Sequence, residues 1–562
     1  MQREDGEVGL VNFETWMDRF FDSYYRHRPV NATFIGVHDY DDRLPDFSDE
    51  AVAEVTGEMT SLLENLDAVD RGGLSEAQEM DLQLGAGFLE IQLWEYGSRH
   101  FQRGNPSLYV SEAVFGPMSL FLREATPLEA RLDAAAARFD QVPRLLEQAR
   151  TNIRTAPRLW IEKAIDECAG GINFASDGVS GYLQTHAVEH PKLVDAAGRA
   201  AAAFEDYRAF LRSQMLPTAR DEGYGCGVDA LDLCIRKGHF LSMTPAEILD
   251  RGWATLEDSR IRLESWADYL GKSSWQEALL RLADDHPPAE RYLDAYGETW
   301  VAARNWATDY GLVTWPDYPI RFIERPQWAR SAAPHLYFLY YRAPPAFDPV
   351  DVVDYLVEPL PEGDPDPVLR AHNSSVIKLN HVVHHGGLGH HVQNWHAYRA
   401  ESRIGRVAAV DCASRIAMLC GGTMAEGWSC YATDLMEEFG FCTPLESMSQ
   451  VQGRLRMAVR AIADVGLHSG AMSIDQVIAL YRDEAGMSET AARAEATKNS
   501  MNPGAALMYL LGTDQIHELR TNLFDGGSRL KLWDFHDAFL SYGSVPVSLI
   551  SESMRQKFTG GA

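Results

Sequence analysis

Six of the chain's 18 histidines fall between positions 381 and 396: His381, His384, His385, His390, His391 and His396. At the chain's average rate such a window holds about half a histidine, so the cluster asks for a cause. Imidazole is the commonest side-chain ligand of transition metals, and several from one short segment suit zinc, iron or nickel. On a regular helix, residues seven apart differ by about 20° around the axis and residues four apart by about 40°. That spacing pairs His384 with His391 and His381 with His385. Gly386, Gly387 and Gly389 open a different outcome, because they weaken a helix and permit a bulged turn that brings His384 beside His390. Without a metal, the same histidines would cap helices and satisfy buried carbonyls. A phosphate cradle at the glycines lacks the preceding strand and the following Lys-Ser/Thr that such loops use.

A carboxylate partner stands downstream. Glu426 lies in Ala425-Glu426-Gly427-Trp428-Ser429-Cys430-Tyr431, among apolar and aromatic neighbours where an unpaired carboxylate is costly. Two imidazoles from one segment and a glutamate from a later helix make a three-ligand site with an open position. On sequence alone, Glu426 is equally a surface charge.

The elements that must position these groups are helices. Phe13, Trp16, Met17, Phe20, Phe21 and Tyr24 form one apolar stripe, with Asn12 as N-cap and Pro29 as stop. Thr126-Pro127-Leu128-Glu129 and Thr244-Pro245-Ala246-Glu247 both read as capped starts of long helices, ending near Ile153 and Leu270. Ala408 to Glu438 reads as a helix or two, broken at Gly421-Gly422. A small β-hairpin is predicted within 318–342, from Tyr318–Phe322 and the aromatic run Leu336–Tyr341, which Pro344-Pro345 ends. Pro359 to Pro367 reads as an exposed loop bordering the site. No linker or low-complexity tract divides the chain. The expectation is an all-α fold in one large domain over 1–562, with two lobes of about 1–310 and 311–562.

At 562 residues the chain is long enough for a large core, and 46% hydrophobic with 23% charged residues is ordinary for a globular enzyme. A net charge of −30 argues against nucleic acid and against an anionic membrane surface as partners. Residues 2–5 (Gln-Arg-Glu-Asp) do not resemble a secretory leader, and no apolar run is long enough to span a bilayer. Seven cysteines without a CxxC pair read as reduced thiols, which points to the cytoplasm.

In order and spacing, three segments resemble a bacterial family known as domain of unknown function 885. They are His384-His385-Gly386-Gly387-Leu388-Gly389-His390-His391 with Gln393, then Glu426-Gly427-Trp428-Ser429-Cys430-Tyr431, then Pro503-Gly504 through Tyr509, Gly512, Leu519-Arg520 and Phe535-His536-Asp537 to Gly543 and Pro546. Pro29 to Asp46, with Gly36 and Leu44-Pro45-Asp46, is similar too, so the resemblance spans nearly the whole chain. The family looks like a zincin-type metallopeptidase, similar to helical metallocarboxypeptidases of the Taq type. That resemblance implies a divalent metal, zinc by preference, held by His384, His390 (or His391) and Glu426. It also implies Tyr509 as the donor to an oxyanion, and a peptide or small-molecule substrate. The family's general-base glutamate is replaced here by His385, its proline by Leu388, and its glutamate after the tyrosine by Thr433. Proton transfer would then fall to His385. Two other outcomes remain open: an iron-type, non-hydrolytic centre, and a catalytically inactive binding or structural relative.

Overall fold

The apolar spacing of residues 13–24 does produce a helix, Phe13–His27, with Asn12 accepting from the Glu14 backbone and Trp16, Met17 and Phe20 buried. Thr244 and Glu247 form a reciprocal capping box at the start of the Pro245–Tyr269 helix. The other Thr-Pro start differs. Pro127 itself is the N-cap of the Leu128–Asn152 helix, and no side chain caps it. The computed structural model describes residues 11–122, 124–336, 340–413, 415–525 and 530–559. It is 69% helix and 3% strand, an all-α fold.

The strand content corrects the expected hairpin. Ile320–Glu324 (β1) pairs in parallel with Val353–Val357 (β2), in register Ile320 with Val353 and Glu324 with Val357. Parallel strands need a long crossover, which a hairpin turn does not supply. Tyr337–Leu339 of the expected second strand lie outside the described residues. Downstream, the described residues of 408–418 form turns and an isolated bridge between Asp411 and Ile416, and the helix begins at Gly422. The Pro359–Pro365 stretch is non-helical, Asp366–Ala371 is a short helix, and neither lines the cavity described below.

The largest apolar cluster draws on residues from Phe13 to Met554. A second joins Trp160, Leu256 and Leu263 to the Pro444–His468 helix and the residues up to Met501. Close backbone contact fixes the helices around the site. A Cβ on Gly512 would lie 2.3 Å from the Thr423 carbonyl oxygen, and one on Gly427 would lie 2.6 Å from Gly512 Cα. The Gly422–Glu438 and Leu507–Asp525 helices therefore touch main chain to main chain, which holds Glu426 and Tyr509 in the walls of one cavity.

A charged tie closes the N-terminal helices against the segment before β2. Gly36 ends the Pro29–Ile35 helix at φ 98°, and a Cβ there would come within 3.0 Å of the Asp348 amide nitrogen. His38 bridges Asp41 (2.8 Å) and Asp348 (3.0 Å). Its bonds to Asp348 and Asp41 outweigh burial and raise its pKa to about 10. The folded value lies above the unperturbed value of about 6.5, so this stabilisation is complete below pH ~6.5, shrinks as pH rises, and is gone above pH ~10. His38→Asn should cost about 1.5–3 kcal/mol in denaturant unfolding at pH 6 and much less at pH 10.5. A cost independent of pH would contradict the tie.

Candidate metal centre

The histidine segment is not a regular helix. Val376–Gly386 is wound as a π-helix, and a turn at 387–389 leads into the His390–Ala397 helix. Wide turns of this kind leave carbonyls to be satisfied from outside, and they occur often at functional sites. Two buried tryptophans supply donors: Trp300 Nε1 to Gly386 O (2.7 Å) and Trp428 Nε1 to Leu388 O (2.8 Å). The glycines are sterically required. A Cβ at Gly387 would stand 2.8 Å from the Val382 oxygen, and one at Gly389 only 1.9 Å from the His384 oxygen.

The bulge decides which histidines meet. The rings of His384 and His390 lie 4.9 Å apart, and His384, His385 and His390 each bring a ring nitrogen within 4.8 Å of the others. His391, the competing ligand choice, is not in this group. It is fully buried, packed edge-on against Tyr318 (5.3 Å) and Trp300 (6.5 Å), and burial pushes its pKa down to about 3. The regular-helix pairing of His384 with His391 fails because the π-turns and the 387–389 turn break the 3.6-residue period. His381 also faces elsewhere: its Nδ1 is 2.6 Å from the Tyr355 hydroxyl.

Glu426 enters from the Gly422–Glu438 helix. Its Oε2 lies 3.3 Å from His384 Nε2 and 3.6 Å from His390 Nε2, with 14%, 14% and 19% of the three side chains exposed. Yet Oε2 makes no hydrogen bond of ordinary geometry. Three lone-pair-bearing atoms thus approach one another without pairing well, which is how donors around a cation are arranged. The set of two imidazoles and a carboxylate suits a divalent transition metal with an open position. His385 donates Nδ1–H to the Asn380 carbonyl oxygen (2.7 Å), which leaves Nε2 as its acceptor. His384 Nδ1 is 3.9 Å from Cys430 Sγ.

Charge is unevenly shared. Burial alone would raise the Glu426 carboxyl, but the His390 charge and contacts with both imidazoles hold it well below its ordinary range. Burial lowers His384 and, together with the two neighbouring imidazoles, drives His385 well down. Burial also opposes charge on His390, but the Glu426 carboxylate outweighs it and raises that pKa.

The site opens into a cavity of about 660 Å³ whose walls include His384, His385, His390, Glu426 and Tyr509. Tyr509 lies beneath the Arg460 guanidinium, 4.6 Å from its ring centre. Sequence reasoning overlooked Asp411, Arg456 and Arg460, which line the same cavity. Asp411 follows the apolar run Val407–Val410, the kind of context that singled out Glu426; burial raises its carboxyl, and its charge reaches His390. Nothing local marks the arginines. His536 and Asp537 of the C-terminal motif are structural instead: His536 bridges Tyr431 OH and Leu312 O, and Asp537 caps Thr314. Thr433, where the family carries glutamate, bonds Cys430 O and Gln450.

One other group among the described residues has metal-like spacing: His27, Glu54 and Glu58. Arg26 already pairs with both glutamates there and fills the position a cation would take.

Residues 29–554 match the family described as "Bacterial protein of unknown function (DUF885)", and the chain belongs to it. The fold is similar to two solved structures. One, from Shewanella oneidensis and described as "a putative lipoprotein of unknown function", is 20% identical with TM-score 0.77, over 97% of this chain and 100% of that one. The other, described as "the putative lipoprotein from Colwellia psychrerythraea", is 17% identical with TM-score 0.78, over 98% and 100%. None of the curated proteins matches the chain. No described helix is long and apolar enough to cross a membrane.

Proposed function

We propose that this protein is a metal-dependent hydrolase of peptide or related amide bonds, with a divalent cation, zinc by preference, held by His384, His390 and Glu426. The observation that carries the reading is the approach of His384 Nε2 and His390 Nε2 to a Glu426 oxygen that lacks a proper hydrogen bond, at the wall of a substrate-sized cavity. A cation in that position supplies a Lewis acid that polarises a carbonyl and activates water. The chain's own groups do the rest. His385, locked by Asn380 with Nε2 free to accept, takes the proton of the attacking water and returns it to the leaving amine. Tyr509 donates its hydroxyl to the oxyanion, and the cation stacked on its ring favours a strong donor.

A second reading has a specific observation behind it. If the His385 nitrogen joins those of His384 and His390, the set becomes three imidazoles and a carboxylate, suited to a redox metal such as iron. It would also leave the site without His385 as base. Zinc-loaded and iron-loaded protein, each incubated with a broad peptide library, separates the readings. Release of new amino termini by the zinc form, lost on His385→Ala, supports hydrolysis. No cleavage by wild type but cleavage by His385→Glu would mean that the native protein is not a peptidase. An inert binding relative would cleave nothing in either form.

The seven cysteines are all free, in keeping with a cytoplasmic setting, whereas the two similar structures are described as putative lipoproteins. Fractionation of the native cell decides between them.

A further inference from the structure

One helix addresses both edges of the His384 ring. Glu426 and Cys430 lie one turn apart on the Gly422–Glu438 helix, and residues at that spacing share a face. Glu426 Oε2 stands 3.3 Å from His384 Nε2, and Cys430 Sγ stands 3.9 Å from Nδ1 of the same ring. The longer separation suits sulfur, which is larger and more polarizable than oxygen. Among the described residues, no other polar side chain or carbonyl bonds His384 Nδ1. The neighbouring ring is fixed by other means, since His385 gives its Nδ1 proton to the Asn380 carbonyl of its own helix. The helix that carries Cys430 has no room to withdraw. A Cβ on Gly427 would lie 2.6 Å from Gly512 Cα, so main chain meets main chain between Glu426 and Cys430. The thiol is buried against Leu507, Leu511 and Met457, and it also lines the cavity. Any small aliphatic side chain would serve that packing; a sulfur directed at a ring nitrogen adds an acceptor.

We infer that Cys430 is a positioning residue for His384: its sulfur accepts the Nδ1 proton, which leaves the Nε2 lone pair facing the cation position beside Glu426. The ring nitrogen that binds a metal is set by the hydrogen bond the other one makes. The inference rests on the reading of His384, His390 and Glu426 as ligands, and it adds the group that selects the tautomer of one of them. Sulfur is a weak acceptor, so it orients the ring yet leaves it a weaker ligand than a carboxylate partner would.

The test compares zinc affinity, by competition with a chromophoric chelator, in the full-length wild type and three variants. Cys430→Ala and Cys430→Val both remove the acceptor, and valine refills the apolar volume. Each should bind zinc about 10-fold more weakly, the lower end of what loss of an outer partner costs. Cys430→Asn, whose amide oxygen accepts, should bind at least as tightly as wild type. A purely packing role demands the opposite order, with valine best and asparagine worst. Thermal unfolding of the same variants reads packing separately from affinity. In nitrogen NMR of the zinc-loaded wild type, the His384 proton should sit on Nδ1, and it should exchange with solvent faster in Cys430→Val. That measurement decides even if Cys430→Asn fails to fold. Zinc bound through His384 Nδ1, or equal affinity in wild type, Cys430→Ala and Cys430→Val, overturns the inference and leaves the metal at these residues. Zinc binding indifferent to His384→Ala overturns both.

Discussion

Replacing His384 and His390 together with alanine should abolish stoichiometric binding of zinc. The loss should exceed the about 10- to 100-fold that follows from removing an outer partner of a metal ligand, because two of three proposed ligands are gone. The fold should survive, since both rings face the cavity and neither belongs to the apolar clusters. A secondary change should accompany it. Glu426 stays ionised through the charge of His390 and its contacts with both imidazoles; without them burial dominates and its carboxyl protonates at much higher pH. Competition with a chromophoric chelator measures the first effect, and carboxyl-resolved NMR titration the second. Undiminished binding of one zinc per chain would place the metal elsewhere.

Gly389→Ala should be nearly as damaging, although it changes no ligand. The new Cβ would sit 1.9 Å from the His384 oxygen, far inside any real contact, so the 387–389 turn must open. Overpacking of this kind costs about 1–3 kcal/mol, and displacing a ligand by about 1 Å can cost about 100-fold in what the site does. Gly198→Ala is the matched control: nothing lies within 4 Å of its Cβ, and it sits inside the Pro191–Phe210 helix. It should stabilise by about 0.5–1 kcal/mol. Denaturant unfolding and zinc affinity, measured on both variants, decide. If Gly389→Ala binds zinc as wild type does, the bulged turn is not what brings the histidines together.

These two variants also mark what the sequence made legible. The helical character followed from apolar periodicity and from caps such as Asn12 and Thr244, whose chemistry is local. Thr126 failed as a cap because Pro127 took that position, a difference of one residue that propensity does not resolve. The pairing of β1 with β2 was hidden because a parallel partner lies a whole crossover away. At the site, three glycines permitted a bulge without fixing its partners, and the cost of an unpaired carboxylate raised Glu426 as a candidate that read equally as a surface charge. The choice of His390 over His391 depends on where the π-turns end, and there the distant Trp300 and Trp428 bond the Gly386 and Leu388 carbonyls while Gly387 and Gly389 pack against backbone. Arg456 was invisible for a different reason. A cavity arginine and a surface arginine look alike until every potential partner has been placed.

The central claim is that His384, His390 and Glu426 hold a metal. Its most direct test is anomalous diffraction at the zinc edge from crystals of protein purified from its native host without added metal. The account predicts one full-occupancy peak about 2.0–2.2 Å from His384 Nε2, His390 Nε2 and a Glu426 oxygen. A density-filled site with no anomalous signal at any transition-metal edge, or a peak remote from these three residues, would contradict it.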